Sequence, residues 1–182
     1  AVAGLAVARV GNQRKAGPHF WLSAAGLALV TGAMGCSCIG YGGVLGLGAT
    51  VVTNKRKIAA DDFFKGMYET ALGADEIIVS VSFPVPKKAA YAKFPNPASR
   101  FALVGVLVAQ TGSGVRVAVT GAASAVFRCK PIEDALAKSW TAAAAKAVKV
   151  SATDLNSDLH GSPAYRAHLV SVMAARAVDA AG

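Results

Sequence analysis

Residues 101–124, "FALVGVLVAQTGSGVRVAVTGAAS", constrain the fold more than any other stretch. A ten-residue apolar run meets "TGSG" and is answered by a second β-branched run. Two such runs across a short glycine-bearing turn specify an antiparallel hairpin. In the second run Val115, Val117 and Val119 alternate with Arg116 and Ala118, which predicts a sheet with one face in solvent. "AAYAKF" upstream reads as a further strand and "PNPASR" as the turn that joins it.

Helical signals follow the hairpin. Pro131 opens "PIEDALAKSW", with Glu133 and Asp134 in the first turn, where the helix dipole favours anions. "TAAAAKAVKV" reads as an alanine-rich helix. "SPAYRAHLVSVMAARAV" is the clearest helix, with Ser162 as N-cap and Pro163 at the first helical position. Tyr165, Leu169, Val172, Met173, Arg176 and Ala177 recur at helical spacing. Strands followed by helices, without strict alternation, predict an α+β fold.

The first half has a second strand system. "EIIVSVSF", residues 76–83, is β-branched and is stopped by Pro84 and Pro86. "VLGLGATVV" reads as glycines leading into a short strand. Asp61 or Asp62 is expected to cap a helical turn bearing Phe63 and Phe64, and Gly66 and Gly73 to take positive φ. A domain boundary is expected between about 84 and 90, dividing the chain into residues 1–86 and 87–182.

Charge and cysteine content exclude several functions. The 182-residue chain is 54 % apolar, enough to bury a core, and carries +9. Its cations are scattered apart from Lys55, Arg56 and Lys57, with no aromatic platform between them, so nucleic-acid binding is not indicated. Cys36, Cys38 and Cys129 form no disulfide framework and point to a reducing, cytoplasmic setting. His19, His160 and His168 lack metal-ligand spacing. No acid–base pair or nucleophile elbow is present. Arg166 and Arg176 read as surface charges. Phe20 to Tyr41 is apolar and uncharged, so a membrane-tethered α+β protein is a rival reading, weakened by dilution with Gly, Ser and Cys.

Four stretches, "AADDFFKGMYETAL", "DEIIVSVSFPVP", "YAKFPNPASRFALVGV" and "DLHGSPAYRAHLVSVMAARAV", occur in the order and spacing of one family. The chain resembles the FAD-binding medium subunit of molybdenum hydroxylases, the carbon monoxide dehydrogenase and xanthine dehydrogenase group. The resemblance runs from Val44 to the C-terminus. It implies part of a PCMH-type FAD-binding subdomain, then a C-terminal antiparallel sheet with a helical layer. It also implies an oxidoreductase role: FAD would relay electrons from an iron–sulfur small subunit to an external acceptor. Those electrons would originate at a molybdenum large subunit, so 2Fe–2S clusters and molybdopterin belong to the partners. On this resemblance Lys93 lies close to the isoalloxazine, where a cation favours the anionic reduced flavin. Ile78 would pack against the ring system, Phe101 would stand near it, and Gly66 completes the expected flavin contacts.

The sequence departs from that family at its amino end. The family's first phosphate cradle, "AGGxS", has no counterpart here. Its second, "GTIGG" with "DPxAD", is expected where this chain reads "GPHFWLSAAGLALVTGAMGCSCIG". A one-base slip of reading frame across residues 17–43 would account for the divergence. "GPHFW" then permits Gly-x-Ile-Ser-Gly, and "GCSCIGYGG" permits an acidic Asp-Ala-Ala-Ala-Ser-Asp. Gene sequencing tests this directly. Backbone cradles supply much of the hold on a diphosphate, so the chain alone is expected to hold FAD weakly. A non-enzymatic relic or docking module without flavin is the alternative function.

Overall fold

A computed structural model describes residues 19–23 and 37–182. Two four-stranded antiparallel sheets divide the described chain. The first is built from β1 (His19–Ser23), β2 (Thr50–Thr53), β3 (Lys57–Ala59) and β6 (Ile78–Pro84), in the order β1-β6-β2-β3. Between β3 and β6 run the single-turn helix α2 (Ala60–Phe63) and a small hairpin of β4 (Phe64–Gly66) and β5 (Glu69–Thr70). Register aligns Val81 with Val51 and Val51 with Ile58. Paired residues share a face, so these three form one apolar row, closed by Leu45, Phe63 and Phe83.

The second sheet has the order β10-β9-β8-β7, from β7 (Lys88–Pro95), β8 (Ala102–Thr111), β9 (Gly114–Thr120) and β10 (Phe127–Arg128). Helices α3 (Lys130–Lys138), α4 (Ala142–Ala147) and α5 (Pro163–Ala181) complete the chain. The expected strands at "AAYAKF" and "FALVGVLVAQ", the hairpin and the three helices are all present. Ser162 caps α5 by accepting from the Tyr165 N–H at 3.3 Å, and Pro163 opens that helix. Val104, Val106, Val108, Val117 and Val119 project from one face of this sheet into a core shared with Ile132, Leu136, Val170 and Met173. The fold is α+β.

The other face of the second sheet is not in solvent. Helix α1 (Ser37–Gly46) covers it, so Ala118 and Leu107 are buried as well. The glycines expected only to lead into a strand thus belong in part to a helix, although glycine costs about 1 kcal/mol per residue against alanine. Close approach explains the choice. A Cβ on Gly46 would lie 2.5 Å from Leu107 Cδ2 and 3.2 Å from Ala118 Cβ, and one on Gly42 would lie 3.3 Å from Thr120 Cγ2. Replacing Gly46 with leucine is expected to overpack this seam and cost about 2 kcal/mol in denaturant unfolding. Gly43→Ala, with nothing within 4 Å of its Cβ position, is expected to be neutral or slightly stabilising.

Several local expectations are corrected. Arg116 is not a solvated strand residue: its guanidinium donates to the Leu45 carbonyl, at 3.1 Å from Nε and 2.8 Å from Nη2, and so satisfies the α1 C-terminus. Neither Asp61 nor Asp62 caps α2, whose N-cap is Ala59 with no side-chain bond. Asp61 instead accepts from Arg116 at 2.9 Å and Arg128 at 3.3 Å, two cations that reach it from the second sheet. Gly66 and Gly73 do not take positive φ; in the β4–β5 turn Tyr68 does, at 58°. Arg166 is buried rather than on the surface, whereas Arg176 and His168 are exposed. No helix among the described residues is long and apolar enough to cross a membrane. Within Phe20–Tyr41, the first residues belong to β1 and the last to α1. Most of the divergent region, including Cys36, lies outside the described residues.

Candidate functional site

A cleft of about 420 Å3 opens where α1, the β4–β5 hairpin and the end of β9 converge. Tyr41 from α1 and Phe64 from β4 form one wall, edge to face with ring centroids 5.6 Å apart. Phe63 braces Phe64 from behind at 5.1 Å. Gly66, Met67 and Tyr68 form the hairpin side, and Thr120 with the 121–126 loop forms the other. Tyr68 stands free at the hairpin tip, and Met67 and Tyr41 are each more than half exposed. Among the described residues, Glu69 is the only charged one lining the cleft. Exposed aromatic and thioether groups around a largely neutral cleft suit a flat, mostly apolar ring system.

Lys93 does not line this cleft but stands two strands from its Thr120 wall. Register pairs it with Gly105, and Gly105 with Thr120, so the three side-chain positions form one cross-strand row on the α1 face. Glycine is required in the middle: a Cβ there would lie 2.0 Å from Tyr91 Oη and 2.6 Å from Thr120 Oγ1. Tyr91 Oη and Thr120 Oγ1 are 3.2 Å apart and hydrogen-bonded. Lys93 is half-buried and donates from Nζ to the Arg100 carbonyl at 3.3 Å.

The turn after β7 is held by more than its prolines. Buried Asn96 accepts from the Ala98 N–H at 2.9 Å through Oδ1, and its own N–H donates to the Phe101 carbonyl at 2.7 Å. Arg100 adopts φ 61° to close the turn and so presents its carbonyl to Lys93. Of the four residues expected at a flavin, Gly66 lines the cleft and Lys93 stands in the row that ends at its Thr120 wall. Ile78 is half-buried in β6 of the first sheet, beside a register shift. Phe101 is 54 % exposed at the start of β8, and neither it nor Ile78 lines the cleft. Sequence reasoning missed Tyr41, Tyr68 and Thr120. An unpaired aromatic in the two-residue turn after "FFKG" was the available signal.

Charge networks fix the elements around the cleft. Arg56 grips Glu76 through Nε at 2.9 Å and Nη2 at 3.0 Å, while Thr53 Oγ1 at 2.7 Å and the Gly73 N–H at 2.9 Å donate to the same carboxylate. Led by the Arg56 bond, these donors pull the Glu76 pKa from 4.5 to about 2. A depressed carboxylate pKa means stability fully present above pH 4.5 and lost as pH falls toward 2. Urea midpoints measured from pH 6 to 2 should fall in that window, and Glu76→Gln should flatten the fall. Burial alone would raise Glu133, but the Arg128 fork at 2.8 and 2.7 Å and the Val117 N–H at 2.9 Å hold it below its ordinary value. Asp61 behaves alike: desolvation is outweighed by Arg116 and Arg128.

The described residues fit one end of FAD and not the other. The cleft offers ring-sized apolar surface near a row headed by a lysine. Neither Gly42 nor Gly46 of α1 offers a free cradle for a diphosphate: both are committed to contact with β8 and β9, and helix-interior N–H groups are bonded four residues back. Among the described residues no group of three or more His, Cys, Asp or Glu side chains could hold a metal ion.

Comparison with known proteins agrees with the architecture. Residues 89–181 match the family model for the CO dehydrogenase flavoprotein C-terminal domain. The chain is 36 % identical over 141 residues to the nicotine 6-hydroxylase medium subunit of Paenarthrobacter nicotinovorans, covering 72 % of this chain and 50 % of that protein. It therefore spans about half the length of this curated relative. Among solved structures, a chain of carbon monoxide dehydrogenase from Hydrogenophaga pseudoflava superposes with TM-score 0.63 at 26 % identity, covering 78 % of this chain and 55 % of that one. A chain of quinoline 2-oxidoreductase from Pseudomonas putida 86 gives TM-score 0.62 at 25 % identity, with 78 % and 54 % covered. On the extent of the domain match and the identity to a medium subunit, the chain belongs to the flavoprotein medium-subunit family of the molybdenum hydroxylases.

Proposed function

We propose that this chain serves a cytoplasmic molybdenum hydroxylase complex as its flavin-side subunit, beside an iron–sulfur small subunit and a molybdenum large subunit. The observation that carries the proposal is the 36 % identity to a nicotine 6-hydroxylase medium subunit over 141 residues. When bound, FAD would supply two-electron acceptance and onward transfer. The chain's own contribution is a surface and a charge. Tyr41, Phe64 and Tyr68 offer aromatic contact for the ring and exclude water beside it. Lys93, held toward its turn by the Arg100 carbonyl, adds positive potential on the α1 face. In this reading Ile78 and Phe101 contribute from outside the cleft, and residues 1–86 and 87–182 act as two domains.

The test is reconstitution with the cognate iron–sulfur and molybdenum subunits, followed by anaerobic addition of their substrate. Bleaching of flavin absorbance is expected, and Lys93→Gln should lower the flavin potential by roughly 30 mV, about 1.4 kcal/mol for two electrons. A complex that reduces its acceptor with flavin held entirely by another subunit would overturn the proposal. The committed glycines of α1 favour a second reading, a docking module without flavin. It predicts assembly with no flavin on this chain.

A further inference from the structure

A second depression lies on the helical side of the second sheet, across the sheet from α1. The segment after α4 and the first turns of α5 enclose a groove of about 400 Å3. Val148, Val150 and Val172 supply an apolar floor, and Lys146, Lys149 and His168 stand at its rim. All three rim residues are exposed, and none makes a hydrogen bond or ion pair among the described residues. Among the described residues, no Asp or Glu lines the groove. Ser171, also in the lining, donates to the Val148 carbonyl at 2.7 Å and ties the two walls together.

We propose that this groove docks an acidic segment of a partner subunit, with carboxylates facing Lys146 and Lys149 and an apolar side chain on the valine floor. The assignment rests on the medium-subunit reading, because that reading supplies the partners. An apolar centre with a charged rim is the anatomy of a protein interface. Exposed, flexible ammonium groups make a poor cage for a small anion and a good steering rim for a macromolecule. Among the described residues no Phe, Tyr or Trp lines the groove, so they give nucleic-acid bases no platform to stack on.

Charge also disfavours a second copy. The chain carries +9 with only ten acidic residues. Four of those, Asp61, Glu76, Glu133 and Asp158, are already engaged in internal ion pairs. A partner with surplus carboxylates is the complementary surface.

The experiment titrates the full chain onto its cognate iron–sulfur and molybdenum subunits and reads the dissociation constant at two salt concentrations. The double reversal K146E/K149E is expected to weaken association by about tenfold or more, and raised salt to weaken wild type more than the reversed pair. Flavin content should not change, since the groove and the aromatic cleft lie on opposite sides of the sheet. Equal affinity and equal salt dependence in the two proteins would overturn the assignment. Failure of wild type itself to bind either subunit would overturn the medium-subunit reading and the groove with it. A wild-type dimer, seen by sedimentation and lost on reversal, would give the groove to a second copy and also overturn the proposal.

Discussion

Replacing Gly121 with alanine is expected to destabilise the protein by about 3 kcal/mol, lowering the unfolding midpoint by about 10 °C. Two costs act together at this position. Gly121 has φ +76°, where an L-residue costs about 1–2 kcal/mol. A Cβ there would also lie 2.4 Å from the Ala102 carbonyl oxygen and 3.1 Å from that of Leu103. Those atoms are backbone at the start of β8, so they cannot rotate aside as a side chain would. The loop that walls the cleft would have to lift off the strand. Gly112→Ala is the control: no atom lies within 4 Å of its Cβ position, its φ is ordinary, and its effect should stay within about 0.5 kcal/mol.

Arg166→Met is the second large effect, also expected at about 3 kcal/mol in chemical unfolding. Arg166 is 2 % exposed. Its Nη1 donates to the Leu103 carbonyl at 2.8 Å and the Gly121 carbonyl at 3.0 Å, and its Nη2 to Asp158 at 2.7 Å. Methionine fills similar volume and returns neither donor. Asp158 is 43 % exposed and can be rehydrated, so the loss falls mainly on the two stranded carbonyls. Arg166→Lys keeps the charge without the fork and should recover part of the stability. Asp158→Asn should cost much less. Because Gly121 and Arg166 share a carbonyl, the double variant should lose less than the sum of the two singles.

These two positions also show where the sequence could be read and where it could not. The β8–β9 hairpin was legible because two apolar, β-branched runs joined by "TGSG" have few other solutions. The start of α5 was legible because Ser162 and Pro163 are local signals. Arg166 was misread as a surface charge because the carbonyls it serves, 45 and 63 residues away, leave no local trace. The "VLGLG" stretch reads as glycines leading into a strand because glycine is a poor helix former; packing of Gly46 against Leu107 and Ala118 overrides that preference, and α1 runs into it as far as Gly46. The solvent face predicted from Arg116 failed because the helix that covers it lies far upstream, Leu45 being 71 residues from Arg116, and leaves no trace in the strand itself. At the site, Lys93 was singled out by motif resemblance, but its row through Gly105 to Thr120 depends on strand register. Tyr68 and Tyr41 join only when the hairpin folds against α1, and their separation in sequence hides this.

Among the described residues, strand β7 ends the second sheet at one side, with β8 as its only partner strand. An eight-residue strand with one free edge is a template on which a neighbouring molecule could zip, the first step toward a fibre. Lys88 and Lys93 place charge along this strand, Lys88 also reaches the carbonyl of Gly182, and Pro95 and Pro97 remove donors where the strand ends. The lysine proposed above as an electrostatic aid to a cofactor is therefore expected to have a second effect, helping to keep concentrated protein from aggregating.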